Sequence, residues 1–337
     1  MMIRVVVVDD SAFARKVMRQ ILGSAADIEV VDIARDGLEA LERIDELQPD
    51  VVTLDLVMPH LDGIGVLRAL QGKAGPRAVV VSTSDAESEL GIEALELGAV
   101  DVVAKPTALA TDRLFEIRED LLEKVRAAAG ARPLVATTEE PLPLPAVSER
   151  IELVAVGTST GGPPALTRFL SGLPRELPVP VVIALHIPAG FTEALARRLN
   201  GLCAIEVCEA ADGMELAPGR AVIAPGGRQL HVRRKGGRLV ARIDDEPVGT
   251  AHKPSVDVLF SSVAEAVGPA ALGLVLTGMG DDGLAGSRAL AAAGATLLTE
   301  SPESCVVYGM PRVVSEAGLS AGSAPIDAMA RLVLSRL

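Results

Sequence analysis

Short, largely uncharged apolar runs, separated by stretches with helical spacing, constrain this chain more than any other feature. Ile3 to Val8, Ile28 to Ala34, Val51 to Leu54, Val79 to Val81 and Val100 to Val103 read as five strands. A continuous apolar run suits a strand buried on both faces, as happens when helices cover both sides of a parallel sheet. Ser11 is placed to cap a helix whose inward face is Phe13, Val17 and Ile21. Leu38, Leu41, Ile44 and Leu47 form the stripe of a second helix, and helical patterns close the set at about Asp112 to Val125. Five β-α units of this length predict an α/β fold with a doubly wound parallel sheet over residues 1–125. Ligands in such sheets bind beyond the carboxyl ends of the strands.

Those ends carry the polar residues. Strand one runs into Asp9 and Asp10, strand three into Asp55, strand four into Ser82 and Thr83, and strand five into Lys105-Pro106. Three carboxylates at one rim form a hard-oxygen set suited to Mg²⁺. One of them could attack a phosphoryl group once a metal offsets charge repulsion. A lysine and a hydroxyl could then bond to the product.

Residues 126–149 break the alternation. Ala127-Ala128-Ala129-Gly130 leads to Pro133, Pro141, Pro143 and Pro145, which denies helix and sheet and predicts a semi-extended linker. Charge also divides here: residues 1–125 hold 24 acidic and 13 basic side chains, whereas 126–337 hold 21 and 19. The two halves are therefore expected to do different work.

A second α/β pattern fills residues 150–337. Ile151 to Val156 reads as a buried strand and runs into Gly157-Thr158-Ser159-Thr160-Gly161-Gly162, followed by helical spacing at Leu166, Phe169 and Leu170. Three readings of this turn compete. It could be a plain glycine turn, a dinucleotide loop, or a nucleophile elbow. The dinucleotide fingerprint does not match, and the next strand, Val179 to Leu185, ends in His186 rather than an acid. The elbow pattern G-x-S-x-G is met by Gly157, Ser159 and Gly161.

A serine needs a base within hydrogen-bond reach. The four histidines are His60, His186, His231 and His252. His186 ends the strand expected beside that of Ser159, so position favours it, with His252 next. His231 lies in an expected antiparallel hairpin, Gln229 to Arg234 with Leu239 to Ile243. A third buried strand, Ala271 to Leu276, precedes Thr277-Gly278-Met279-Gly280-Asp281-Asp282-Gly283. Asp282 could orient the base or cap a helix, and Asp281 beside it leaves the choice of carboxylate open. The order Ser, His, Asp differs from the Ser, Asp, His order of α/β-hydrolases.

Other classes fare worse. Aromatics are 2% of the chain, with no Trp and one Tyr, too few for a base-stacking surface. A formal charge of −13 opposes phosphate-backbone binding, so no nucleic-acid partner is expected. No apolar run reaches membrane-spanning length, no secretory leader is present, and Cys203, Cys208 and Cys305 fit no CxxC pattern, which predicts a cytoplasmic protein without membrane insertion.

Residues 1–125 resemble the receiver domain of two-component response regulators, through Asp9-Asp10-Ser11, Asp55 followed by Met58-Pro59-His60-Leu61-Asp62-Gly63, and Gly98-Ala99 leading to Lys105-Pro106. The resemblance implies a flavodoxin-like (βα)5 domain in which Asp55 accepts phosphate from a chemotaxis histidine kinase. Asp10 and Asp55 would bind Mg²⁺, with Asp9 acting through water and Val57 through its carbonyl. Ser82 or Thr83 would supply the switch hydroxyl and Lys105 the cation. The strand-five position that many receivers fill with an aromatic is Val102, which argues against an aromatic-rotamer switch.

Residues 150–337 resemble the catalytic domain of chemotaxis protein-glutamate methylesterases (the CheB family). The matching segments are Gly157 to Gly162, His186-Ile187-Pro188-x-Gly190-Phe191-Thr192, Ala224-Pro225-Gly226-Gly227, Pro254 to Phe260, Thr277 to Gly283 and Tyr308-Gly309-Met310-Pro311. This implies a doubly wound, mainly parallel methylesterase domain with a small antiparallel hairpin. Ser159 would be nucleophile, His186 general base and Asp282 its partner, with Thr160 supporting the site and the Met279 amide binding the oxyanion. No cofactor is implied for this half. The resemblance further implies demethylation of glutamate methyl esters on chemoreceptors, deamidation of glutamines by the same acyl chemistry, and a receiver that blocks the cleft until phosphorylated. Leu185 stands where the family has glutamine, and Gln229 where histidine is common. A second reading, supported by Leu185, is a phosphorylation-controlled binding module on a degenerate esterase fold. A nonspecific serine esterase is a third.

Overall fold

A computed structural model of the protein describes residues 2–73, 75–82, 88–105, 113–131, 150–244 and 249–337. The chain separates into two compact units between Ala131 and Arg132.

The first unit holds β1 (Ile3–Val8), α1 (Ala12–Leu22), β2 (Ile28–Ala34), α2 (Gly37–Leu47), β3 (Val51–Leu54), α3 (Gly63–Leu70), β4 (Arg77–Ser82), α4 (Ser88–Glu96), β5 (Asp101–Ala104) and α5 (Arg113–Gly130). Its five strands are parallel in the order β2-β1-β3-β4-β5. Val5 to Val8, Val51, Val52 and Val79 to Val81 are buried, as a sheet covered on both faces requires. The order reverses between β1 and β3, so the crevice lies between the ends that carry Asp9 and Asp55. Two inward-face expectations fail: Phe13 and Leu38 are exposed, at 49% and 54%, although Val17, Ile21 and Ile44 on the same stripes are buried. Both lie in the first turn of their helices. The expected linker start also moves, because α5 continues to Gly130 and takes in residues 126–130. Its alanines are strong helix formers, and the break falls at the glycine. The remainder of the expected linker lies outside the described residues.

The second unit holds β6 (Leu153–Thr158), α6 (Gly162–Ser171), β7 (Val181–Leu185), α7 (Phe191–Leu202), β8 (Glu206–Glu209), β9 (Arg220–Ile223), β10 (Gln229–Lys235), β11 (Arg238–Asp244), α8 (Val256–Ala266), β12 (Ala271–Val275), α9 (Leu284–Ala292), β13 (Thr296–Glu300), α10 (Met310–Glu316), β14 (Gly322–Ala324) and α11 (Ile326–Leu334). Seven strands form a parallel sheet in the order β14-β13-β12-β6-β7-β9-β8. β10 and β11 form the antiparallel hairpin, pairing Gln229 with Asp244 through Lys235 with Arg238. The reversal falls at β6, between β12 and β7. The carboxyl ends of those three central strands therefore open on one crevice.

Candidate active site

β6 delivers the serine. It pairs with β7 so that Thr158 lies opposite Leu185, and the His186 amide donates to the Thr158 carbonyl at 3.2 Å. Ser159 and His186 thus leave adjacent strands at the same level. On the other side of β6, the Ser159 amide donates to the Thr277 carbonyl at 3.1 Å, and the Thr158 hydroxyl donates to the same oxygen at 2.7 Å. The turn then closes through a bond from the Gly162 amide to the Ser159 carbonyl at 2.7 Å. Glycine is required at two places here. Gly161 has φ +79°, and a Cβ there would lie 2.6 Å from that of Val306. At Gly278, a Cβ would come within 2.9 Å of the Ser159 Cβ.

His186 Nε2 lies 2.7 Å from Asp282 Oδ2. A carboxylate can only accept, so Nε2 is the donor in this bond and Nδ1 is the nitrogen turned away from Asp282. The side chains of His186 and Asp282 are 10% and 9% exposed, and Ser159 is 8% exposed. Asp281 is exposed.

Asp282 does cap a helix, but not the one it precedes. Its carboxylate accepts from the amides of Val256 and Asp257 at 2.7 and 3.0 Å and from the Ser255 hydroxyl at 2.9 Å, all at the start of α8. Asp257 returns the arrangement, accepting from the Gly283 and Gly286 amides at 2.9 and 2.7 Å at the start of α9. Two helix N-termini thus exchange carboxylates, each satisfying orphan amides of the other. Burial alone would raise the Asp282 pKa; the His186 hydrogen bond and charge and the α8 amides more than offset it and hold the carboxyl well below the usual range. Burial raises that of Asp257, opposed by its amide donors.

The second-ranked histidine also reaches the site. The His252 ring stacks on that of His186, with centroids 4.0 Å apart and planes 18° from parallel. Gln229 fixes that loop. Fully buried, it donates to the His252 carbonyl at 3.0 Å and to the Thr250 hydroxyl at 3.1 Å, and accepts from the Ser255 amide at 2.8 Å. Leu185 is buried against the nucleophile turn, its Cδ1 2.6 Å from where a Gly162 Cβ would stand. Packing takes the place of a polar side chain there. His231 faces Asp244 on the hairpin at 3.1 Å, and His60 bonds to Asp36 at 2.9 Å in the other unit.

Thr160 is buried, and its carbonyl accepts from the Thr277 hydroxyl at 3.0 Å. The Gly278 amide donates to Val307, while its carbonyl accepts from Gly309 and Met310. The Gly278 carbonyl shares a peptide unit with the Met279 amide, so its two bonds from Gly309 and Met310 fix the plane in which that amide lies.

The sequence reading did not single out Ser255 and Asp257. Pro254-Ser255-Val256-Asp257 carries a helix-start signature that could have placed both at a helix N-terminus. Nothing in the sequence marks which carboxylate that terminus would receive.

In the N-terminal unit, carboxylate oxygens of Asp9, Asp10 and Asp55 lie within 4.8 Å of one another. Lys105 Nζ bridges Asp9 Oδ2 and Asp55 Oδ2, each at 2.6 Å. Burial would lower the Lys105 pKa, but the two carboxylates outweigh it and raise the value. Asp9 and Asp55 are buried and Asp10 is exposed. The Lys105 amide donates to the carbonyl of Ser82, the last residue of β4. Val57 has an exposed side chain, Val102 is fully buried, and Thr83 lies outside the described residues. This all-oxygen set with two buried carboxylates fits a hard divalent cation.

A family model described as CheB methylesterase matches residues 154–333, and one described as response regulator receiver domain matches residues 5–117. Protein-glutamate methylesterase/protein-glutamine glutaminase 5 of Myxococcus xanthus is 60% identical over 339 residues, covering 98% of this chain and 97% of its own. The enzyme numbered 3 from Geobacter sulfurreducens is 43% identical over 363 residues, covering 99% of this chain and 97% of its own. The crystal structure of the Thermotoga maritima CheB methylesterase catalytic domain is 34% identical, with a TM-score of 0.55, and covers 56% of this chain and all of that one.

Proposed function

This chain belongs to the CheB methylesterase family, with a response-regulator receiver domain at its N-terminus, and we propose that Ser159, His186 and Asp282 carry its chemistry. It is a phosphorylation-regulated protein-glutamate methylesterase and protein-glutamine glutaminase. The observation that supports the residue assignment is the His186–Asp282 bond of 2.7 Å at the strand end adjoining that of Ser159.

Ser159 Oγ attacks the ester carbonyl while His186 Nδ1 takes its proton. The new Oγ–C bond forms a tetrahedral oxyanion, which the Met279 amide receives. The C–OCH₃ bond then breaks, and the imidazolium returns the proton to the leaving methoxide, releasing methanol. Water, deprotonated by His186, attacks the acyl-serine. The C–Oγ bond breaks, leaving a free γ-carboxylate and the regenerated serine. Asp282 holds the imidazole in the Nε2-protonated tautomer and stabilises its charged form. With a glutamine substrate, ammonia leaves in place of methanol.

The substrate proposed is the cytoplasmic part of methylated chemoreceptors, and the phosphodonor a chemotaxis histidine kinase acting on Asp55. Asp9, Asp10, Asp55 and the Val57 carbonyl would hold Mg²⁺, which offsets repulsion between an incoming phosphoryl group and the carboxylates. Lys105, now bridging Asp9 and Asp55, would pair with the acyl phosphate, and Ser82 or Thr83 would bond to its oxygens. Phosphorylation of Asp55 would raise the esterase rate by favouring the active one of two states of the chain. Cytoplasmic location follows from that substrate; among the described residues no helix is long and apolar enough to cross a membrane.

Methanol release from methylated receptors tests this reading, with and without a small phosphodonor. Wild type should release methanol and respond to phosphodonor, Ser159→Ala should release none above background, and Asp55→Asn should stay at the low rate. A wild type no better than Ser159→Ala would favour a binding module.

A further inference from the structure

One buried carboxyl group stands behind the esterase site with no part in the reaction as written. Glu300, the last residue of β13, is fully buried. Its Oε2 accepts from the Thr277 amide at 2.8 Å, and its Oε1 accepts from the Ser304 hydroxyl at 2.7 Å. Ser304 Oγ in turn accepts from the Ile326 amide at 2.9 Å, at the start of α11. Thr277 is the hub of the nucleophile turn. Its carbonyl accepts from the Thr158 hydroxyl and the Ser159 amide, and its hydroxyl donates to the Thr160 carbonyl and accepts from the Val307 amide. One residue thus ties down three successive residues around the nucleophile, and Glu300 ties down that residue from outside.

A neutral amide would accept the same Thr277 N–H without a buried charge. Among the described residues no cation bonds to Glu300. Arg168 on α6 acts on it from a distance and is itself paired with Asp327 of α11 at 3.3 Å. The Cys305 thiol is the other titratable group close by, and β14 presents Ala324 beside it. Retaining a carboxylate there is costly unless its charge has a use.

Resting on the esterase reading above, we propose that Glu300 is a positioning residue for the hydrolysis. Its carboxylate form holds the Thr277 peptide, and through it Ser159, in the reactive arrangement, and its protonated form loosens that hold and slows the reaction. Hydrogen bonds to an ionised acceptor are roughly twice as strong as neutral ones. Proton uptake leaves Oε2 a weaker acceptor for Thr277, and the added proton on Oε1 competes with the bond from Ser304. Burial pushes the Glu300 pKa up to about 7, against the bonds from Ser304, Thr277 and Cys305. The change therefore falls in the range where a cell-interior enzyme works.

The test is kcat for methanol release by the full chain, with phosphodonor and Mg²⁺, from pH 5.5 to 9 for wild type, Glu300→Gln and Ser304→Ala. The receiver is the same in all three, so its own pH dependence cancels in the ratio of rates. Wild type should exceed Glu300→Gln by about tenfold at pH 8.5, a loss of about one hydrogen-bond strength. That ratio should fall toward one below pH 6, where both side chains are neutral. Ser304→Ala loses a donor that favours the carboxylate, so its acid limb should move to higher pH than that of wild type. A ratio independent of pH in an active enzyme would overturn the positioning role while leaving the esterase reading intact. Should Glu300→Gln not fold, an unmoved acid limb in Ser304→Ala would overturn it instead. A wild type no more active than Ser159→Ala would remove the esterase reading and this inference with it.

Discussion

In the proposed mechanism the two nitrogens of one imidazole divide the work. His186 Nε2 is bonded to Asp282, and Nδ1 would take the proton of the serine. Asp282→Asn keeps the shape but can donate from its amide, so the wrong tautomer becomes available. Its rate should fall by about 10⁴-fold with substrate affinity little changed, measured as kcat and KM for methanol release. The same carboxylate has a lowered folded pKa, so its stabilising contribution is present above the unfolded value near 4 and is lost as pH falls through the folded one. The stability gap between wild type and Asp282→Ala, read from urea midpoints, should narrow as pH falls below about 4. Glu300 behaves oppositely. Its folded value of about 7 lies above the unfolded one, so the associated stability is complete near pH 4 and lost as pH rises through 7. Glu300→Gln should therefore gain on wild type in unfolding free energy between pH 5 and 8, by up to about 3 kcal/mol.

At the scale of elements, the start of α8 and the start of α9 hold each other through Asp282 and Asp257. Asp257→Ala leaves the Gly283 and Gly286 amides without that acceptor and should cost about 1–2 kcal/mol in urea unfolding. It should also lower kcat, because Asp282 sits on the peptide it secures. An Asp257→Ala protein with wild-type stability would contradict the reciprocal capping. Strands were legible in the sequence where apolar residues run on. β1, β3, β4, β6, β7 and β12 lie inside their sheets and read as apolar runs, and the edge strands β2 and β5 keep enough Val and Ile to be read as well. β8 and β9 begin with Glu206 and Arg220, which pair with each other across the strands at 2.9 Å, and so break the apolar pattern. β13 ends in the buried Glu300, and β14 has three residues with no pattern at all. Helix stripes were legible at their centres but not in their first turns, where Phe13 and Leu38 face solvent.

At the scale of the whole molecule, the acidic excess of residues 1–125 belongs to the receiver, whose rim gathers Asp9, Asp10 and Asp55. Chelating Mg²⁺ should remove stimulation by a phosphodonor and leave the basal esterase rate unchanged, since the proposed hydrolysis calls on no metal; methanol release with and without chelator reads both. A basal rate that falls with the metal would contradict that division. That the Gly157-to-Gly162 turn, His186 and Asp282 stand at neighbouring strand ends was legible because each follows a central strand of a parallel sheet, and such ends share one crevice. The exchange of carboxylates between Asp282 and Asp257, the stack of His252 and the reach of Glu300 were not. They depend on which donors a loop meets in space, and spacing carries no record of that. The most direct test of the central claim is covalent capture of the nucleophile by a fluorophosphonate, located by mass spectrometry on the full chain. A single adduct on Ser159 is expected, formed far more slowly in His186→Ala. An adduct elsewhere, or labelling of Ser159 at an undiminished rate without the imidazole, would contradict it.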